Sequence, residues 1–110
     1  MTAASFLGEF EQLVLLALLR LGQDAYGMTV QQELVRRSGR RAGLGTVYTT
    51  LARLEEKGLI RARWGEPTAE RGGRRKKHFE VLPHGKQALQ RSLTALRRMT
   101  AGLDAITGAP

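Results

Sequence analysis

Residues 13–19 form an unbroken apolar run, Leu-Val-Leu-Leu-Ala-Leu-Leu, bounded by Gln12 and Arg20. At helical spacing Phe6, Phe10, Leu13, Val14, Leu16, Ala17 and Leu21 share one face, while Leu15, Leu18 and Leu19 fill the other sides. The spacing predicts a helix over residues 5–21, capped by Ser5 and stopped by Gly22. A helix apolar nearly all round is buried on more than one face. A chain of 110 residues builds only a modest core, so the second face calls for another subunit. The same run is too short for a bilayer, which takes about twenty apolar residues. The N-terminus also lacks the basic start and small-residue cleavage site of a signal peptide.

Two amphipathic helices follow. Tyr26, Val30 and Leu34 recur along one predicted over residues 26–37 and ended by Gly39. Arg40, Arg41, Ala42 and Gly43 read as a basic turn. Val47, Leu51 and Leu54 form the stripe of a third helix, predicted over residues 45–57 and ended by Gly58. Its open side carries Thr46, Tyr48, Thr49, Arg53 and Lys57. Two helices joined by a tight turn, the second polar and basic outside, make a helix-turn-helix pattern. The period then changes. Ile60, Ala62 and Trp64 alternate with Arg61 and Arg63, as on a half-buried strand. Residues 65–73, with Gly65, Pro67, Gly72 and Gly73, read as a loop, and a returning strand is predicted over residues 74–81. This hairpin is a wing, with Trp64 packed at its base.

Pro83 and Gly85 open a last helix, predicted over residues 84–106. Its Leu89, Leu93, Leu96, Met99, Leu103 and Ile106 recur at steps of three and four, as along a coiled-coil seam. The expected architecture is therefore mainly α with a small β-hairpin wing. A winged helix-turn-helix covers residues 5–82 and a C-terminal dimerisation helix residues 83–107. Phe6, Phe10, Leu89, Leu93, Leu96, Met99 and Leu103 are the candidate contacts of a homodimer.

Charge is concentrated rather than spread. The whole chain carries +8, yet residues 36–77 hold thirteen Lys and Arg against four acids, so both ends together are slightly acidic. Such a field attracts a polyanion. Charge alone does not separate DNA from RNA or an anionic membrane, but the third helix has the width and the side chains for a major groove. Arg53 suits a guanine edge or a phosphate. Thr46 suits a phosphate or a helix cap, and Thr49 sits beside it at the same helix start. Tyr48 suits sugar-phosphate or packing against the second helix. Arg40 and Arg41 in the turn add cations for the backbone. Arg71, Arg74, Arg75 and Lys76 crowd the wing, where Gly72 and Gly73 allow close approach and an arginine fits a narrow minor groove.

Other chemistries find little footing. His78 and His84 are the only histidines, and neither has an acid pair at ligand spacing, so no metal is expected. No phosphate-binding glycine loop or nucleophile elbow occurs, and Ser5, Ser38 and Ser92 lack triad partners, so neither an enzyme nor a cofactor is expected. There are no cysteines, which fits a reducing cytoplasm.

These features resemble the PadR family of bacterial transcriptional regulators, over residues 8–89. The resemblance rests on the apolar run, on Tyr26-Gly27-Met28, and on Gly45-Thr46-Val47-Tyr48 followed by Leu51, Arg53-Leu54-Glu55 and Lys57-Gly58-Leu59-Ile60. Gly72-Gly73-Arg74-Arg75-Lys76 and Pro83-His84-Gly85-Lys86 complete it. It implies a repressor with Tyr48 and its neighbours in the major groove and the wing on flanking backbone or minor groove. Short-chain members dimerise through the last helix packed on the partner's first. Three departures stand out. Thr49 follows the tyrosine where proline is frequent, Leu82 precedes Pro83 where threonine is frequent, and the last helix carries no aromatic residue to sandwich a flat drug. The expectation is a cytoplasmic homodimer on a palindromic double-stranded operator, with no membrane partner and any small-molecule effector unidentified. The alternative is a sequence-tolerant, architectural nucleic-acid binder.

Overall fold

In the computed structural model, which describes residues 6–65 and 76–108, the chain folds back early so that Leu7 enters the core. Gly8 is extended, its N–H donates to Glu11 Oε1 at 2.9 Å, and Gln12 Nε2 reaches back to the Leu7 carbonyl at 3.0 Å. Helix α1 therefore spans Glu9–Leu21 and starts later than expected, with Gly8 at the cap position. Ser5, the expected cap, lies outside the described residues.

After a single turn at Gly22–Asp24, α2 covers Gly27–Ser38 and α3 covers Leu44–Glu56. Tyr26 precedes α2, and its N–H donates to Thr29 Oγ1 at 3.0 Å. The glycines expected to stop the three helices, Gly22, Gly39 and Gly58, have φ of 58°, 72° and 75°. The three helices close around Val14, Leu15, Val30, Leu34, Val47, Leu51 and Leu54, all buried. Thr46 is not a cap: Gly43 holds that position in an extended conformation.

The period change becomes an antiparallel hairpin of β1, Ile60–Trp64, and β2, Lys77–Val81, with Ile60 opposite Val81 and Trp64 opposite Lys77. The part of the second strand expected at 74–76 adds no described strand residue: 74 and 75 lie outside the described range, and Lys76 precedes β2. A third rung joins from the turn before α2, where Ala25 accepts a hydrogen bond from Phe79 N–H at 2.9 Å and Tyr26 pairs with His78. Ile60 and Phe79 bury the hairpin's inner face. Trp64 does not pack at the base as expected. It sits at the far end of the hairpin, 57% exposed, with Lys77 Nζ 6.0 Å from its ring centre.

Helix α4, Pro83–Thr100, begins with proline at its first position, where the missing N–H costs nothing. It does not reach residue 106. The chain breaks at Ala101, Gly102 takes φ 81°, and a short helix α5 follows at Asp104–Thr107. Gly102 stands inside a regular apolar spacing, so the spacing concealed the break. Exposure rises along the helix. Leu89 is 4% exposed, Leu93 is half-buried, Leu96 is 52% exposed and Met99 77%. Leu89, expected at the dimer contact, is therefore core of its own subunit.

Candidate nucleic-acid interface

Helix α3 is held by Val47, Leu51 and Leu54, and the 3.6-residue period distributes its remaining side chains over two flanks and an outer edge. Thr46, Thr50, Arg53 and Lys57 line one flank. They face the start of α1 across an open cleft of about 770 Å³, whose other walls include Glu9, Phe10, Glu11, Arg40 and Arg41. Tyr48 lies on the other flank. Its ring rests on the first turn of α2, so close that a Cβ at Gly27 would stand 2.4 Å from both its Cζ and its hydroxyl. Glycine at this position lets the ring lie against the helix backbone, and any larger residue would push the ring away. Tyr48 still leaves 45% of its surface open, so packing on α2 does not remove it from a binding face. Thr49 is on the outer edge, and its hydroxyl donates back to the Gly45 carbonyl at 2.9 Å.

The structure divides the basic stretch into paired and unpaired cations. Arg36 and Arg37 pair with Glu33 at 2.5 and 3.0 Å, Lys57 with Glu11 at 2.7 Å, and Arg61 with Glu80. Arg40 pairs with Glu9 and lies over the Phe10 ring, 5.3 Å from its centre. Phe10, expected at the dimer contact, is thus half-buried beneath an arginine. Lys76 sits 4.4 Å from the centre of the Tyr26 ring. Among the described residues of the stretch Arg41, Arg53, Arg63, Lys76 and Lys77 have no ion pair, and the two lysines lie by aromatic rings instead. Arg41 and Arg53 both line the cleft, beside the nearly buried Thr50. Arg71, Arg74 and Arg75 lie outside the described residues.

Two carboxylates are tuned by this network. The hydrogen bond from Arg36 leads in holding Glu33 below the usual carboxylate range; burial opposes it, and the charge of Arg37 adds to it. Burial pushes Glu11 up, but hydrogen bonds from Lys57 and the Gly8 N–H, with the charges of Lys57 and Arg53, outweigh it and leave the group lowered. The pairs Glu9–Arg40 and Glu11–Lys57 bridge 31 and 46 positions of sequence, and no local pattern announces them. Of the other expected dimer contacts, Phe6, Leu96, Met99 and Leu103 are each at least half exposed.

The sequence profile described as the Transcriptional regulator PadR-like family matches residues 15–91. The chain belongs to this family. The PadR-like fold is shared with a PadR family transcription regulator from Clostridium difficile, at a TM-score of 0.72 and 24% identity, covering 91% of this chain and 99% of that one. A regulator from Eggerthella lenta matches at a TM-score of 0.65 and 23% identity, over 93% of this chain and 88% of that one. Bacillus subtilis PadR in complex with operator DNA matches at a TM-score of 0.62 and 25% identity, over 77% of this chain and 47% of that one. A protein of transposon TN4556 from Streptomyces fradiae is 33% identical over 75 residues, 68% of this chain; the chain spans 20% of that relative's length. PadR-like proteins are transcriptional regulators rather than enzymes. Among the described residues no helix is long and apolar enough to cross a membrane, and no three acidic or histidine side chains gather as a metal site.

Proposed function

We propose that the chain represses transcription by binding a roughly palindromic DNA operator as a homodimer. Helix α3 enters the major groove, and the wing, with Arg71, Arg74, Arg75 and Lys76, follows the flanking backbone or minor groove. The observation that carries this reading is the match to Bacillus subtilis PadR, a protein seen with operator DNA, by a chain whose α3 keeps Thr46, Tyr48, Thr49 and Arg53 exposed. Arg41 and Arg53, unpaired on the cleft side of α3, take backbone phosphates, with Arg40 available when Glu9 releases it. Tyr48 and Thr49 are left as the base-reading pair. This assigns Arg53 to the backbone rather than to a guanine edge. Residues 5–82 form the reading unit and 83–107 the dimerisation unit. The far half of α4 supports that division, because Leu96 and Met99 have no cover in the single subunit.

Selection of bound sequences from a random duplex pool tests the proposal. The expected product is an inverted repeat with half-sites about 10 base pairs apart, centre to centre. Affinity for it should fall with salt at a log–log slope of about −7 if each subunit meets about four phosphates. Transcription from a promoter carrying the selected site should fall on adding the protein. Arg53→Ala should weaken selected and random duplexes alike and reduce the salt slope by about one unit per subunit. Salt-sensitive binding with no enriched sequence would replace the proposal with sequence-tolerant binding. Absence of duplex binding would end both readings.

A further inference from the structure

We propose that Tyr26 and Gly27 act as a gauge that fixes the separation of the two DNA-contacting elements, with Tyr26 as the positioning residue for the wing. The inference rests on the reading of α3 and the wing as those elements. It starts from contacts that share one short segment. On one side, Gly27 receives the Tyr48 ring of α3 so closely that any side chain there would displace the ring. On the other side, Tyr26 is joined to the wing at two residues, His78 of β2 and Lys76 just before it. Its backbone bridges to His78. Its ring meets the His78 ring edge-on, with centres 5.5 Å apart at 76°. Its hydroxyl accepts a hydrogen bond from Lys76 Nζ at 3.2 Å, while the same ammonium lies 4.4 Å from the ring centre.

Lys76 is well placed to transmit this hold. Its carbonyl accepts the Gly65 N–H at 2.8 Å, which extends the hairpin ladder one step beyond Trp64 and Lys77. The residue whose side chain is gripped by Tyr26 therefore also ties the two arms of the wing together. The segment between the two grips is stiff. Tyr26 is extended, at φ −133° and ψ 170°, and the Thr29 hydroxyl locks its N–H as α2 begins. Adjacent residues of a stiff segment thus hold the reading helix through one and the wing through the other. A change in either contact alters the spacing that matches major groove to flanking groove. The Lys76 ammonium keeps its charge and further N–H donors while held by Tyr26, so it can still meet a phosphate beside the ring.

The chain has no cysteine, so spin labels can be placed at will. Labels at Glu55→Cys on α3 and Arg63→Cys on β1, both exposed, report the spacing by pulsed dipolar spectroscopy. Labelled chain is mixed with excess unlabelled chain, so that distances within one subunit dominate. Tyr26→Leu should broaden the distance distribution, and Tyr26→Phe, which keeps the ring under the ammonium, should leave it narrow. Lys76→Met removes the grip from an exposed side chain and should broaden it as Tyr26→Leu does, which keeps the test open if Tyr26→Leu folds poorly. On a selected operator, Tyr26→Leu should bind about two- to fivefold more weakly than the parent, the loss expected for one exposed cation–ring contact. It should lose backbone protection at the flanks while protection of the bases in the half-site persists. An unchanged distance distribution in Lys76→Met, or equal broadening in Tyr26→Phe, overturns the inference. The spectroscopic arm needs no DNA, so it decides the inference even if duplex selection fails and the functional reading falls.

Discussion

Leu89 and Met99 belong to the same apolar stripe of α4, yet one is 4% and the other 77% exposed. The first half of the helix lies on α1 and the hairpin and completes a core already closed by three helices. The second half leaves that body, and the molecule is correspondingly long, 54 Å against 21 Å in its thinnest direction. Identical periodicity thus serves two purposes. Near the body it saturates contacts within one subunit; beyond it, it leaves apolar surface that water disfavours by about 25 cal/mol for each Å². A narrow apolar stripe is therefore evidence for a contact but not for which molecule supplies it.

Three changes would break or sharpen that contrast. The largest effect belongs to the body. Leu51→Ala empties a site with no exposure and should cost about 2–5 kcal/mol, read as a lower urea midpoint at every protein concentration. A cost under about 1 kcal/mol would mean the body is not a finished core. Next is the tail. Leu96→Glu combined with Met99→Glu should leave the fold of the dilute subunit intact by circular dichroism. Sedimentation velocity should show assembly weakened by about 10,000-fold, since two side chains from each subunit contribute about 1.5 kcal/mol apiece when covered. If this variant instead unfolds as Leu51→Ala does, the tail is part of the monomer core and the contrast fails.

The smallest effect probes the seam between α1 and α3. Glu11 has a native pKa below its ordinary 4.5, so its contribution is complete above about 4.5 and is lost as pH falls through the lowered native value. Glu11→Gln should lower stability by about 1 kcal/mol at pH 7. The unfolding curves of parent and variant should converge in acid. A constant gap down to pH 3 would show that the Lys57 pair contributes nothing through charge.

Much of the fold is legible in local pattern. The alternation at Ile60, Ala62 and Trp64 located β1 to the residue, and Gly22, Gly39 and Gly58 marked three helix ends that all took positive φ. Each signal acts on its immediate neighbours: a side chain alternates across a strand, and glycine alone enters the left-handed region without strain. The candidate interface was less legible. Exposure of Thr46, Thr49 and Arg53 follows from the period of α3, but the loss of Arg40 to Glu9 and of Lys57 to Glu11, and the hold of Tyr26 on Lys76, do not. Trp64 and Gly102 misled in opposite ways, one by looking like core and the other by hiding in a stripe.

By itself the sequence determined the order and type of the elements as far as α4, the concentration of positive charge between residues 36 and 77, and the family. Periodicity, turn chemistry and net charge are properties of neighbours or of sums, and need no coordinates. Only the tertiary structure decided which cations are already neutralised, that Tyr48 rests on Gly27, and where along α4 the subunit's own core ends. Those depend on which distant segments meet, and the free energy of an ion pair or an apolar contact exists only once the chain has brought its two halves together.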